Sequence, residues 1–125
     1  MDTQLQSIFS KLGGINAMHD IVDCFYDKVL ADDRVNPFFK DANMDIQRGK
    51  MKAFLMMALG GPVKFTGKDM RKAHLHLVNR GLADNHFDAI GEHLDAALKD
   101  FNIDETTRSS IAAVVETCRR DVLNK

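Results

Sequence analysis

The sequence predicts a single all-α domain. Apolar residues recur at spacings of three and four along most of the chain, which is the helical period. Strict apolar–polar alternation, Asn-Gly hairpin turns and internal repeats do not occur, so we expect no strands. With 125 residues, of which 45% are hydrophobic and 28% charged, the chain has the length and balance of one packed domain spanning residues 1–125.

Composition and charge argue against several function classes. The formal net charge is -1 and no basic run is long enough to follow a phosphate backbone, so we expect no nucleic-acid partner. The most apolar stretch, residues 53–63, contains two glycines and a proline and is shorter than the roughly 20 residues of a membrane-spanning helix. The polar amino terminus is unlike a secretory signal. We therefore expect a cytoplasmic protein without a membrane partner, in which Cys24 and Cys118 are free thiols.

The first helices are marked by a cap and by an apolar stripe. Residues 3–6 have the Thr-x-x-Gln form of a capping box and open a short helix that ends at Gly13 and Gly14. Residues 16–30 carry a broad apolar stripe and predict an amphipathic helix. In the turn that follows, residues 36–39 read Asn-Pro-Phe-Phe, and we expect at least one of the two rings to point inward.

Two further helices are predicted in the middle of the chain. One runs from Ile46 to Ala58, entered through Asn43 or Asp45 as the N-cap and closed by the glycines and proline at 60–62. After a loop, a short helix covers about residues 68–79 and stops at Gly81.

The last two helices carry the longest apolar patterns. Asp84 is expected to cap a helix whose apolar residues run from Phe87 to Phe101, and this helix should cross the core. A final helix opens near residues 103–107 and buries a face that continues to Val122. His19, His86 and His93 lie beside the apolar stripes of their helices, and we expect them to be solvated.

One histidine lies inside an apolar stripe. Met70, Ala73, His74 and Leu77 are three and four residues apart and share one face of the short helix. Two interpretations fit this position: a core histidine hydrogen-bonded to a backbone carbonyl, or a ligand of a metal or of haem iron. The spacing alone leaves both open. His76 faces elsewhere on the helix and is expected at the surface or at a haem propionate.

A second set of side chains could face this histidine across a cofactor. The helix at 46–58 presents Gln47, Lys50, Met51 and Phe54 over two turns, about 10 Å of helix axis. The helix before it adds Tyr26, the single tyrosine of the chain. Polar side chains on otherwise apolar stripes suit a pocket in which hydrogen-bond donors face a diatomic ligand of iron.

Nine short motifs in order carry a family resemblance. Helices of unequal length with glycine-containing loops already fit a globin-like packing better than a symmetric four-helix bundle. The motifs are Leu12-Gly-Gly14, Phe25-Tyr26, Pro37-Phe-Phe39, Gln47-Arg48, Lys52-Ala-Phe-Leu55, Leu59-Gly-Gly61, Met70-Arg-x-Ala-His74, His86-Phe-Asp88 and Arg120-Asp-Val-Leu-Asn124. Together they resemble the truncated haemoglobins, particularly the group I branch of cyanobacteria, green algae and other microbes. The resemblance covers nearly the whole chain and implies a two-on-two helical sandwich around haem b.

The resemblance also implies roles for individual residues. His74 would be the proximal iron ligand, Tyr26 and Gln47 the distal hydrogen-bonding residues, and Phe39 a ring packed on the haem. The residues we expect to contact the cofactor are Phe39, Lys50, Met51, Phe54, Met70, His74, Leu77, Phe87, Ile90 and Val115.

Three positions depart from the family pattern or leave a choice. At the position of Lys50, some relatives carry a histidine that binds the iron as a second protein ligand. Others carry a lysine that pairs with a haem propionate. Either role is open for Lys50. Met51 stands where many relatives have a second distal glutamine, so the hydrogen-bond network is thinner. Cys118 stands where certain relatives join a histidine to the haem, and it is either a small buried hydrophobe or a thioether link.

The implied function is reversible binding of dioxygen, nitric oxide and carbon monoxide, with redox chemistry that oxidises nitric oxide to nitrate. The chain has no GxGxxG motif, so electrons would come from an external donor or reductase. A dioxygen carrier or ligand sensor without turnover is the alternative, and a helical interaction module without a cofactor is a third hypothesis. We expect a monomer.

Overall fold

The computed structural model describes residues 14–58 and 67–125 and contains six α-helices and one 3-10 helix. In chain order they are α1 (Gly14–Leu30), the 3-10 helix (Asn36–Phe39), α2 (Met44–Ala58), α3 (Gly67–Val78), α4 (Asp84–Asp100), α5 (Glu105–Thr117) and α6 (Arg119–Val122). These residues contain no strand, which confirms the all-α prediction. The predicted first helix at 3–12 and the glycine–proline stop at 60–62 lie outside the described residues.

Two pairs of helices enclose the core. Helix α1 packs against α2 and crosses α4, while α4 packs against α5, and α5 also reaches α2. The buried apolar side chains of this core are Met18, Ile21, Val22, Phe25, Tyr26, Val29, Val35, Leu55, Ala89, Leu94, Ala97, Leu98, Ile103 and Ile111. Each large side chain among them contributes about 1.5–3 kcal/mol by leaving water. Burial of the apolar stripes of α1 and α4 therefore supplies most of this core, to which α2 adds Leu55 and α5 adds Ile111.

The start of α2 is capped as expected. The side-chain oxygen of Asn43 accepts hydrogen bonds from the backbone N–H groups of Asp45 (3.0 Å) and Ile46 (3.2 Å). These bonds satisfy two of the donors that a helix leaves open at its first turn. Of the two alternatives at this position, Asn43 is the N-cap.

The prediction that Asp84 caps α4 is wrong. The extended residue before the helix is Ala83, and Asp84 is already helical. The ring Nδ1 of His86 accepts the backbone N–H of Ala83 at 3.0 Å and so supplies the capping bond. The Asp84 carboxylate instead pairs with Arg119 and Lys125, whose positive charges draw it away from the helix end. His86 is therefore half-buried rather than solvated, and its ring packs against Phe38 with centroids 4.9 Å apart.

Three helical segments end in the same left-handed turn. Gly81 (φ 100°), Asn102 (φ 60°) and Asn124 (φ 56°) adopt positive φ just after α3, α4 and α6. In each case the next residue donates to the carbonyl five positions earlier, as Leu82 does to Leu77 at 3.0 Å. This pattern is the Schellman motif, which needs glycine or asparagine at the left-handed position. The predicted stop of the short helix at Gly81 is confirmed.

The last predicted helix is interrupted at Cys118. The carbonyl of Val114 accepts the hydroxyl of Thr117 at 2.6 Å and the thiol of Cys118 at 3.6 Å. The backbone N–H of Cys118 turns to Val115, three residues back, at 3.0 Å. Because side chains compete for a carbonyl of the helix, the last turn of α5 tightens and the chain restarts as α6.

Helix α3 is held differently from the other long helices. None of its residues is buried, and its main packing partner is the short helix α6. Across residues 14–58 and 67–125, no helix is long and apolar enough to span a membrane.

Candidate functional site

The His74 side chain is oriented by its own helix. Its ring Nδ1 lies 2.8 Å from the backbone carbonyl of Met70, one turn earlier. A carbonyl only accepts hydrogen bonds, so Nδ1 carries the proton and Nε2 carries the lone pair of the neutral ring. Both interpretations of this histidine are compatible with the geometry, because the carbonyl bond occupies one nitrogen and leaves the other as a metal ligand.

The surroundings of His74 favour its neutral form. Burial lowers the pKa of the ring, the hydrogen bond to Met70 raises it, and the positive charges of His76 and Lys50 lower it further. A neutral imidazole is the form that binds metal. Lys50 on α2 is thus near enough to His74 on α3 for its charge to lower the pKa of the ring, although the Lys50 side chain is exposed.

Tyr26, Phe39 and Gln47 lie close to one another. Tyr26 is only 3% exposed, and its ring meets Phe39 edge-on with centroids 5.9 Å apart. Its hydroxyl donates to the main-chain oxygen of Gln47 at 3.3 Å, so this contact does not involve the side-chain amide of Gln47. Burial raises the pKa of Tyr26 to about 12. The phenol is consequently a protonated hydrogen-bond donor at neutral pH.

The remaining predicted cofactor contacts fall into two groups. Met51, Phe54, Ile90 and Val115 are half-buried and pack against the hydrophobic core to which Tyr26 belongs. Met70, Leu77 and Phe87 are also half-buried, the first two on the helix of His74.

Phe87 and Val115 also border a separate cavity. It has a volume of about 150 Å³ and lies between α4 and α5. The guanidinium carbon of Arg119 lies 4.6 Å from the centre of the Phe87 ring, a cation–π contact at the edge of this cavity. Phe87 and Val115 therefore line a space between α4 and α5, and Val115 also packs against the core.

The prediction that His93 is solvated is wrong. His93 is half-buried on α4, and its Nε2 lies 2.6 Å from a carboxylate oxygen of Asp32. Arg34 binds the same carboxylate through its guanidinium at 2.7–3.1 Å. The hydrogen bonds of Arg34 and then of His93 hold the pKa of Asp32 well below its usual range. This cluster ties the turn after α1 to α4; sequence patterns missed it because its partners are 61 residues apart.

Cys118 has a local partner. Its thiol bonds the Val114 carbonyl of its own helix, and burial raises the pKa of the thiol. The protonated thiol is the form in which cysteine packs as a small hydrophobe.

The residues around His74 fit a cofactor that brings most of the metal's ligands with it. In the two stretches that the structure describes, no three His, Cys, Asp or Glu side chains are grouped to hold a metal ion. His74 offers one protein ligand, which suits the iron of a haem because the porphyrin supplies most of the others. Half-buried apolar side chains lie on the two helices that would enclose it, Met51 and Phe54 on α2 and Met70 and Leu77 on α3. Apolar side chains of this kind suit a flat, mostly apolar cofactor.

Comparison with known proteins identifies the family. A family model of bacterial-like globins matches residues 7–124. The group 1 truncated haemoglobin of Synechocystis sp. is 45% identical over 124 residues, which cover 97% of this chain and 100% of that protein. The chain belongs to the group 1 truncated haemoglobins. The group 1 truncated haemoglobin of Tetrahymena thermophila is also 45% identical, over 95% of this chain and 96% of that protein.

A solved structure supports the same assignment for this truncated haemoglobin. The 2/2 haemoglobin of Synechococcus sp., determined in the cyanomet state with covalently attached haem, superimposes with a TM-score of 0.86. It is 43% identical, and the match covers 94% of this chain and 98% of that one. The predicted two-on-two sandwich is confirmed. As a globin, the protein binds haem, and globins bind small gaseous ligands such as dioxygen.

Proposed function

We propose that this truncated haemoglobin holds haem b through Nε2 of His74 and takes part in nitric oxide detoxification. The overall reaction is the oxidation of nitric oxide by dioxygen to nitrate, with one electron supplied by an external donor. When bound, haem supplies an iron that takes diatomic ligands, including carbon monoxide, and changes oxidation state. The observation that carries the proposal is the His74 ring, fixed through Nδ1 to Met70 with Nε2 left as the ligand nitrogen.

His74 needs no further partner to act as an iron ligand. The bond from Nδ1–H to the Met70 carbonyl fixes the tautomer and the ring orientation and makes the opposite nitrogen more basic. Because burial keeps the ring neutral, no proton has to be removed when the metal binds.

Tyr26 supplies the hydrogen bond to a bound diatomic ligand in this proposal. Its hydroxyl is buried, protonated and now donated to the main chain of Gln47 at the comparatively long distance of 3.3 Å. A ligand that gains partial negative charge would compete for this donor. The half-buried Gln47 amide offers a second donor in the same region.

Lys50 has two candidate roles, and they demand different charge states. An exposed ammonium near the His74 helix suits a pairing with a haem propionate. Ligation of iron requires instead the neutral amine, whose lone pair binds the metal. Ferric spectra recorded against pH for the wild type and Lys50→Ala separate the two roles. A low-spin form that vanishes in the variant identifies ligation, and an aquo-type high-spin form in both identifies the propionate role.

The distribution of charge supports an external electron donor. Residues 34–80 contain ten of the 17 basic residues of the chain but only three of its 18 acidic residues. This segment includes α2 and the His74 helix, α3. Arg34, Arg48 and Arg71 are already paired with carboxylates from outside the segment. Lys50 on α2 and Lys72 on α3 are exposed, and exposed cations there would attract an acidic donor protein and speed its encounter.

The ligand role of His74 is tested by His74→Gly with His76→Gly as the matched control. Both histidines are on α3, but His76 is exposed and off the apolar stripe. We expect His74→Gly to lose the Soret spectrum of the five-coordinate ferrous protein and to regain it when imidazole is added. His76→Gly should keep the wild-type spectra. A wild type without a Soret band after purification with haem, or a His74→Gly spectrum equal to the wild type, would overturn the proposal.

The redox role is tested by counting nitrate. The dioxygen-bound protein is mixed with repeated additions of nitric oxide in the presence of NADPH, a ferredoxin reductase and ferredoxin. Nitrate accumulating to many equivalents per haem supports turnover. One equivalent per haem, with no further NADPH consumption, supports the dioxygen carrier or sensor instead.

A further inference from the structure

Helix α3 carries His74 but contributes no buried residue to the core, so its position depends on its neighbours. Its main packing partner is α6, and the contact brings together two sequence motifs that the haem site itself does not use. One is Arg71 in the Met70–His74 motif, and the other is the run 120–124 after the break at Cys118.

Arg71 is held at both its side chain and its main chain. Its Nε donates to a carboxylate oxygen of Asp121 at 2.8 Å, and Nη2 donates to the main-chain oxygen of Lys125 at 2.7 Å. The side-chain amide of Asn124 donates to the main-chain oxygen of Arg71 at 3.1 Å. We name this set of contacts, made by Asp121, Asn124 and Lys125 to Arg71, the α6 clamp.

The turn after α6 places these groups. Asn124 is left-handed (φ 56°), its N–H bonds Asp121 at 3.2 Å, and the N–H of Lys125 bonds Arg120 at 2.9 Å. These two bonds form the Schellman motif, which turns the Asn124 amide and the Lys125 carbonyl toward α3. Asparagine satisfies both demands, since it tolerates positive φ and carries an amide donor.

The start of α3 is shaped for the same contact. A Cβ atom at Gly67 would lie 2.7 Å from a carboxylate oxygen of Asp121, closer than such atoms approach. The glycine therefore lets the first turn of α3 approach the carboxylate that binds Arg71.

The clamp holds the residue that follows the carbonyl orienting His74, through the Arg71 side chain and the Arg71 carbonyl of the next peptide group. The carbonyl of Met70, which accepts the proton of His74 Nδ1, belongs to the same planar peptide group as the nitrogen of Arg71. We propose that Arg71, Asp121 and Asn124 are positioning residues that fix the direction of His74 toward the haem. This inference rests on the proposed role of His74 as the iron ligand.

Two variants each remove one contact of the clamp with little change in side-chain or backbone shape, and each has a matched control. Asn124→Gly keeps the left-handed turn and removes the amide donor; Asn102→Gly makes the same change in the Schellman turn after α4. Asp121→Asn removes the charge that binds Arg71; Asp95→Asn does so in the ion pair with Arg108 between α4 and α5.

The readouts are the iron–histidine stretching band of the unliganded ferrous protein and the rate of haem loss to an apomyoglobin acceptor. We expect each clamp variant to shift or broaden the band and to speed haem loss about tenfold, the loss of one hydrogen bond to a charged or main-chain group. Hydrogen exchange of the α3 amides should accelerate in the same variants. The two control variants should match the wild type in all three measurements.

The outcomes distinguish the clamp from the proposed function. A wild type without an iron–histidine band shows that His74 is not the ligand, and both proposals fail. A wild-type band that stays unchanged in Asn124→Gly and Asp121→Asn, with unchanged haem loss, overturns the clamp alone. Equal changes in the control variants mean a general loss of stability and also overturn it.

Discussion

Tyr26 shows how one buried side chain combines packing with chemistry. Its ring belongs to the core and contacts Phe25 and Phe39, while its hydroxyl reaches the main chain of Gln47. Burial disfavours the phenolate, which raises the pKa of the group to about 12. The same burial that stabilises the fold therefore keeps a proton available at the site.

The pKa of Tyr26 makes stability depend on pH in a defined window. The folded protein keeps the phenol proton to about pH 12, whereas the unfolded chain loses it near pH 10. The stabilisation is complete below pH 10 and declines as pH rises toward 12, by up to about 3 kcal/mol. Tyr26 is the single tyrosine and the chain has no tryptophan, so tyrosinate absorbance reports this group directly. We expect a midpoint near 12 in the folded protein and near 10 in urea; equal midpoints would refute the prediction.

The elements are joined by side-chain clusters that span long stretches of sequence. Asp32 lies between α1 and the 3-10 helix and binds His93 of α4, while Arg34 folds back onto the same carboxylate. The 3-10 helix, whose Phe39 packs on Tyr26, is thereby fixed relative to α4. The cluster therefore supports the part of the candidate site that contains Tyr26 and Phe39.

Substituting Asp32→Asn should weaken this cluster and make the free energy of unfolding less dependent on pH in acid. The folded pKa of Asp32 lies below its usual value, so its contribution is present above about pH 4 and is lost as pH falls further. We expect the variant to be less stable at pH 7, with a smaller further loss below pH 4 than in the wild type. Urea unfolding across this range measures the effect. Asp41→Asn, at a neighbouring position in the same connection, should behave as the wild type.

Two glycines should respond to alanine with opposite signs. Gly81 has φ of 100° in the turn after α3, where a side chain strains the backbone, so Gly81→Ala should cost about 1–2 kcal/mol. Gly91 lies inside α4, and the space that an alanine methyl would take there is open, so Gly91→Ala should stabilise by about 0.5–1 kcal/mol. Thermal unfolding of both variants tests the pair. A Gly81→Ala protein as stable as the wild type would contradict the assigned turn.

Local signals were enough to predict the helices and two of their ends, but not the ends and contacts that depend on residues far away in sequence. Apolar periodicity located the helices in the described residues, and Asn43 and Gly81 marked a cap and a stop, because these depend on neighbours in sequence. The role of Asp84 was wrong because its partners, Arg119 and Lys125, lie at least 35 residues away. The break at Cys118 escaped prediction since both threonine and cysteine are allowed in helices, and only their competition for one carbonyl ends α5.

At the scale of the whole molecule, the helices that carry the candidate site differ in how firmly they pack against the core. Tyr26 belongs to the packed core, whereas His74 is on a helix with no buried residue. The pattern around His74 could be recognised from sequence, but the tautomer of its ring and the clamp on Arg71 could not, because they depend on three-dimensional hydrogen bonds.

The uneven charge of the molecule predicts how reductants reach the haem. If the basic segment 34–80 surrounds the cofactor, an anionic reductant such as ferrous EDTA should be attracted, and a cationic one such as hexaammineruthenium(II) repelled. Raising the ionic strength should slow reduction by the first and speed reduction by the second. Stopped-flow reduction of the ferric protein measures both slopes. Salt dependences of the opposite sign would remove the support for an acidic donor.

The contacts of the α6 clamp also set an order of events during folding. The bonds from Asp121 and Asn124 to Arg71 join residues 50 and 53 positions apart, so forming them requires closure of a long loop. On the ribosome, α3 is synthesised before residues 121–125. If the clamp directs His74 as proposed, this direction is reached only once the loop has closed, and haem captured earlier would meet a histidine on a helix that has not yet docked. Firm seating of the cofactor would then follow docking of α3 on α6.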